Sequence, residues 1–172
     1  MLRKEILASA TALIDAGGDE RAVTLRAVAR HAGIAAPSIY PHFPDHSALM
    51  LAVVRDCFAE LASRLRSSAE DPCAAYLDFA RDHPQRYRVM FDGAWKPIGI
   101  STEVLVSLGE EPLGVLVGML RERGNDEPEL DAVALWLGLH GLAHQRAVCR
   151  PFPWPADITQ RIAVLASGRT QP

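Results

Sequence analysis

The stretch Thr24–Met50, TLRAVARHAGIAAPSIYPHFPDHSALM, holds the densest local signals in the chain. Thr24 is a capping residue ahead of Leu25, Val28, Ala29 and Ala32, which recur at helical spacing and make one apolar face. Gly33 follows, where a tight turn wants positive φ. Ile34 is placed to plug the angle between this helix and the next. Pro37 suits the first turn of a third helix, because the N–H it lacks would have had no partner there. That helix holds Ser38, Ile39, Tyr40 and His42 and ends near Phe43-Pro44. Asp45 then caps a long helix over about 46–68, striped by Met50, Val54, Cys57, Leu61 and Leu65. Two short helices around a glycine turn make a helix-turn-helix, whose second helix fits the DNA major groove. The spacing alone also fits an ordinary pair of packed helices.

Working outward, residues 2–16 read as an amphipathic helix with Ile6, Ala10, Leu13 and Ile14 in register, ended by Gly17-Gly18. The charged start and apolar run also resemble a signal peptide, but Asp15 interrupts the run. Downstream, Asp71-Pro72 opens a helix that stops at His83-Pro84. A short helix covers about 84–91, and a Gly/Pro loop runs from Asp92 to Gly99. A helix over about 102–123 contains Pro112, which predicts a kink or a division. Asp126 to Pro128 starts a helix reaching about 149. Pro151, Pro153 and Pro155 form a stiff connector to a last helix over about 156–166. No segment has strand periodicity. The expected fold is all-α with about nine helices: a three-helix head in residues 1–45, joined by a long helix to a helical body in 46–172.

Composition agrees with that reading. The chain has 172 residues, 49% hydrophobic and 23% charged, as in an ordinary globular protein able to bury a core. Its 26 alanines and 20 leucines favour helix. A net charge of −3 excludes a wholesale basic nucleic-acid binder, and the first fifty residues balance five Lys/Arg against five Asp/Glu. His31, His42 and His46 add charge there as pH falls. No run of 18 apolar residues predicts a membrane span. Cys57, Cys73 and Cys149 are an odd set without paired spacing, which points to a reducing cytoplasm.

The Thr24–Met50 string resembles the DNA-binding head of the TetR family of bacterial transcriptional regulators. The likeness covers about residues 3–55 and includes the Ala32-Gly33 turn and the Ile39-Tyr40 and His42-Phe43 pairs. It implies that Thr24, Leu25 and Arg26 grip phosphate through N–H groups and the guanidinium. Ala35, Ala36, Pro37 and Ser38 would start the recognition helix. Small residues let its backbone approach base edges, the alanines and Pro37 offer apolar contact to thymine methyls, and Ser38 bonds a base or phosphate. Tyr40 and His42 would reach phosphates, while Ile39 and Phe43 belong to the core. Two departures stand out. His46 occupies the position where relatives usually place a phosphate-binding lysine. Only Arg3 and Lys4 stand where many relatives carry a basic arm. Both imply weaker, more pH-sensitive DNA binding, and they keep open an alternative: a TetR-like module that binds ligand or protein but no DNA.

The segments FARDHPQRYRVMF (Phe79–Phe91) and LWLGLHGL (Leu135–Leu142) resemble a TetR C-terminal subclass with a Trp-x-x-x-His-Gly signature, here Trp136, His140 and Gly141. The likeness implies a ligand-sensing and dimerising body. The residues themselves argue for the dimer. Leu130, Val133, Ala134, Leu137, Gly138, Gly141 and Leu142 cluster on one side of a helix, and Leu135, Trp136, Leu139 and Ala143 on another. A helix apolar nearly all round must be covered on both faces. Ile158, Ile162 and Leu165 supply a second stripe, so two helices from each copy would meet across a two-fold axis. Phe79, Tyr87, Met90, Phe91, Trp95, Leu116, Met119, Trp136 and His140 are candidate pocket residues for a hydrophobic or aromatic effector. Large residues at this spacing also read as plain core.

An enzyme is the rival class. His140 and His144 at i, i+4 fit a metal pair, but HGLAH lacks the glutamate of a zinc-protease helix and a third ligand. No Walker loop, GxSxG elbow or CxxC pair occurs. No catalytic residue, metal site or cofactor is therefore expected. The resemblance implies a repressor that binds a palindromic double-stranded operator as a homodimer in the cytoplasm.

Overall fold

A computed structural model describes residues 1–17, 23–68, 70–92, 100–148 and 153–166. The predicted residues Trp95 and Cys149, and the side chain of Leu165, lie outside the described ones. The described residues form eight α-helices and one 3-10 turn, with no strand: α1 (Leu2–Asp15), α2 (Leu25–His31), the turn Ala36–Ile39, α3 (His46–Ser67), α4 (Pro72–Asp82), α5 (Pro84–Asp92), α6 (Thr102–Glu122), α7 (Pro128–Val148) and α8 (Ile158–Ala166). The all-α expectation is thus met, and no described helix is long and apolar enough to cross a membrane.

The chain divides into two compact units, residues 1–58 with 83–108, and 59–82 with 109–172. In the first, α1 buries Ile6, Leu7, Ala10 and Ile14, and α2 buries Val28 and Ala29. Thr24 Oγ1 accepts a hydrogen bond from Ala27 N at 3.1 Å, satisfying one of the unpaired donors at the start of α2. Gly33, at φ 68°, ends that helix. Its N–H reaches Arg30 O, and Ile34 N reaches Ala29 O, the paired bonds of a Schellman stop.

The third helix expected from Pro37 to Phe43 is only a 3-10 turn over Ala36–Ile39. Pro41 supplies the reason. It has no N–H to bond Pro37 O, and its ring would strike that carbonyl in an α-helix. Ser38 N bonds Ala35 O and His42 N bonds Ile39 O, each three residues back, and Phe43 N also reaches Ile39 O, four residues back. Ile39 and Phe43 are nonetheless buried, at 0% and 1% exposure. Asp45 Oδ1 then caps α3 by accepting from Ala48 N at 2.8 Å.

α5 packs against α1 within this unit, where Arg86 grips Asp15 with two N–H groups, Nε to Oδ1 at 2.7 Å and Nη2 to Oδ2. A planar fork on one carboxylate fixes orientation as well as distance. Phe91 on α5 meets Phe58 edge-on at 5.6 Å and Tyr87 at 4.8 Å.

In the second unit α4 packs on α7 and α8, and α7 on α8. Asp71 Oδ1 caps α4 through Ala74 N at 2.9 Å. The core holds Leu61, Leu65, Tyr76, Phe79, Leu116, Leu120, Ala132, Leu135 and Leu139. Cys73 is buried there; burial, then the neighbouring Asp71, pushes its thiol pKa up to about 11. Pro112 does not divide α6, which runs on through it.

Candidate nucleic-acid interface and body sites

The ten head residues with predicted DNA roles lie between Thr24 and His46, and none is buried. Thr24, Leu25 and Arg26 open α2, and the turn carrying Ala36, Pro37 and Ser38 packs against that helix. Thr24, Arg26, Ala35 and Pro37 are exposed; Leu25, Ala36, Ser38, His42 and His46 are half-buried. Tyr40 is 52% exposed, although it lies between the wholly buried Ile39 and Phe43 at 1%. A side chain with that much solvent contact contributes little to the core. Arg30 and His31, in the last turn of α2, are exposed as well, although neither was given a DNA-contacting role from the sequence.

Arg3 makes a contact within the head. Its guanidinium lies 4.9 Å from the centre of the Phe43 ring, a cation–π contact that ties α1 to the segment ahead of α3. The contact helps anchor the head, and Arg3 and Lys4 both remain exposed.

In the body, the predicted pocket residues are divided between the two compact units. Tyr87, Met90 and Phe91 belong to the first compact unit, and Phe79, Leu116, Met119, Trp136 and His140 to the second. Phe79 and Leu116 are fully buried, and the Phe79 ring packs under the Arg64 guanidinium at 5.5 Å. Trp136 meets Tyr76 edge-on at 5.6 Å. Phe79 is thus core, while Trp136 is half-buried beside the buried Tyr76. Burial, and then the charge of His144, holds the pKa of His140 below the ordinary imidazole value.

A groove of about 470 Å³ opens elsewhere in the second unit. α3 lines it with Leu65 and Arg66, α4 with Pro72, and α6 with Glu111, Gly114, Val115, Gly118, Met119 and Glu122. Met119 alone of the predicted set borders it. The signal in the sequence was the Gly114 and Gly118 pair one turn apart on an apolar helix. A Cβ built at either glycine meets nothing within 4 Å, so open space lies over both.

On α7, Ala132, Leu135, Leu139, Leu142 and Ala143 turn inward, while Leu130 (62%), Val133 (41%) and Leu137 (63%) are exposed along with Ala134 and Gly141. Two expected interface residues need correcting. Leu142 is 5% exposed and belongs to the core. Gly138 faces Ile162 of the same chain: an added Cβ would stand 2.6 Å from Ile162 Cγ2. Ile158 and Ile162 are half-buried, and Val164 on α8 is exposed although it was not singled out. Among the described residues no group of three or more His, Cys, Asp or Glu is placed to hold a metal ion.

A capped helix, a glycine stop and an outward-facing turn define a helix-turn-helix, and further helices follow it in the chain. Residues 6–53 match the profile of the bacterial regulatory proteins, tetR family, and residues 69–167 that of the tetracyclin repressor-like, C-terminal domain. The chain belongs to the TetR family. No curated protein sequence matches it significantly. Among solved structures it is similar to a protein of unknown function from Rhodococcus sp. RHA1 (23% identity over 97% of this chain and 92% of that one, TM-score 0.75). It is similar also to the fatty acid degradation regulator FadR from Bacillus halodurans (12%, 98% and 99%, 0.70). A third likeness is to the multidrug binding protein EbrR, complexed with imidazole (16%, 96% and 94%, 0.71). At these identities the likeness is one of fold.

Proposed function

We propose that the chain is a cytoplasmic one-component transcriptional regulator, a repressor that binds a roughly palindromic operator as a homodimer and is released by a small-molecule effector. The observation that carries this reading is the head. Its core residues Ile39 and Phe43 are sealed, and the residues around them, Ala35 to Ser38, Tyr40 and His42, face solvent or are only half covered. A turn built to be anchored by two side chains and to present the others is suited to reading a groove. The head is residues 1–45 and the ligand-binding and dimerising body residues 46–172.

Leu130, Val133, Ala134, Leu137 and Gly141 form one stripe on α7, at i, i+3, i+4, i+7 and i+11. Single exposed leucines are ordinary, but an aligned row of them on one helix marks an interaction surface. A second copy fits best, because an isologous seam needs only one such stripe. A two-fold axis then sets the two heads on half-sites about one helical turn apart. Effector binding acts by favouring a body that holds the heads at the wrong spacing, and so depends on different affinity for the two states.

Selection of bound DNA from a random duplex pool with the purified full chain tests the reading. Enrichment of an inverted repeat supports it. A pool that stays unenriched at low salt refutes it in favour of a module that binds no DNA.

A further inference from the structure

We infer that the groove between the end of α3, the start of α4 and the second half of α6 is a binding site for an organic cation with an apolar body. This deepens the regulator reading and rests on it only for the effector role; the binding chemistry stands on the groove itself. The volume of about 470 Å³ lies in the range of small-molecule sites. Leu65, Pro72, Val115 and Met119 make the walls apolar, and the thioether of Met119 adapts to irregular shapes. Gly114 and Gly118 leave room that any side chain would take.

The charges choose the sign of the ligand. Arg66 and Glu111 at the rim are committed to each other by an ion pair. Glu122, also at the rim, is exposed and has no hydrogen bond or ion pair among the described residues. The lining therefore carries two carboxylates against one guanidinium. Asp71 and Arg123 lie close enough to shift the Cys73 thiol in opposite directions, and adding them leaves the balance negative. An anionic ligand would have to displace Glu111 from Arg66 and sit beside Glu122. A cation meets an unengaged carboxylate and disturbs no existing pair.

Tetraphenylphosphonium and tetraphenylborate, near-isosteric ions of opposite sign, are the probes, titrated into the full chain by calorimetry. Tetraphenylphosphonium should bind and the borate should bind at least tenfold more weakly. Glu122→Gln keeps the shape and removes the charge; it should weaken the phosphonium about three- to fivefold, the scale of an exposed ion pair, and narrow the difference between the two probes. Gly118→Leu fills the open space and should abolish binding while leaving the melting temperature equal or higher, since leucine is the better helix former. Equal affinity for both ions, no phosphonium binding, or unchanged binding in both variants overturns the site. The titration contains no DNA, so such a failure leaves the regulator reading untouched. Failed DNA selection by a chain that binds the phosphonium would overturn the regulator and leave the site standing.

Discussion

Gly138→Ala is the sharpest test of how α7 is divided between its own chain and a partner. The added methyl carbon would lie 2.6 Å from Ile162 Cγ2, more than an ångström inside ordinary carbon–carbon contact. Ile162 is β-branched and stiff at χ1, so its methyl cannot swing away without moving α8. Forcing a methyl into packed space costs about 1–3 kcal/mol. Replacing glycine by alanine inside a helix returns about 1 kcal/mol. The net expectation is a loss of about 0–2 kcal/mol, and for a chain of this length each kcal/mol lowers the melting temperature by about 2–4 °C. Gly141 is the control. An added Cβ there meets nothing within 4 Å in its own chain, so Gly141→Ala should raise the stability of the fold by up to about 1 kcal/mol. Calorimetric melting of both variants, with Ile162→Ala alone and combined with Gly138→Ala, closes a double-mutant cycle. Removal of Cγ2 should rescue Gly138→Ala, giving a coupling of at least about 0.5 kcal/mol. A Gly138→Ala protein as stable as its Gly141→Ala counterpart, with zero coupling to Ile162, would refute the contact.

Leu137→Glu places a charge in the proposed seam, where an unpaired buried ion costs several kcal/mol; sedimentation should show a monomer, and a folded dimer of unchanged affinity would exclude this face. Tyr40→Phe removes one hydroxyl from an exposed ring, so operator affinity should fall by on the order of 1 kcal/mol with melting unchanged, whereas earlier melting with normal binding would assign Tyr40 to packing. His46→Lys restores a permanent cation at the start of α3; the logarithmic salt slope of operator binding at pH 8 should steepen by about 0.9, and identical slopes would show that position 46 touches no phosphate. His140 has a depressed pKa, so the folded chain binds fewer protons there than the unfolded one. Stability from this group is therefore full above the unfolded value of about 6.5 and is lost as pH falls through the folded value; His140→Gln should flatten the melting profile in that window, and an unchanged profile would remove His140 as its cause.

Much of the fold was legible because local chemistry decides it. Thr24, Asp45 and Asp71 cap the helices they precede, and Gly33 takes the positive φ that its position demanded. Each of these signals acts within a few residues of itself. The turn Ala36–Ile39 is shorter than the helix that Pro37 suggests, because Pro41 stops it four residues later. The body sites were harder to read. Whether Phe79 or Trp136 lines a cavity depends on what packs on it, and helical spacing says only that both avoid water. The groove is made by residues that are absent in effect, Gly114 and Gly118, and by the end of α3, more than forty positions away in sequence. Gly138 and Gly141 look alike on a helical wheel, and only α8 distinguishes them.

The groove and the head are linked by continuous helix. Leu65 and Arg66, which line the groove, lie on the same 22-residue α3 that begins at His46 and contributes Leu49, Met50 and Val53 to the core of the first unit. α6 also passes from one compact unit to the other, but it is the weaker conductor. Pro112 deprives Leu108 O of its helical donor, just where the units divide between Leu108 and Gly109, and glycines follow at 114 and 118. α3 has neither glycine nor proline from His46 to Ser67, and an unbroken ladder resists bending at any one residue. A ligand that shifts Leu65 and Arg66 therefore has a stiff path to the residues after Asp45, whereas strain placed on α6 can be absorbed at Pro112. In the proposed regulator, the groove's leverage over the head runs through α3.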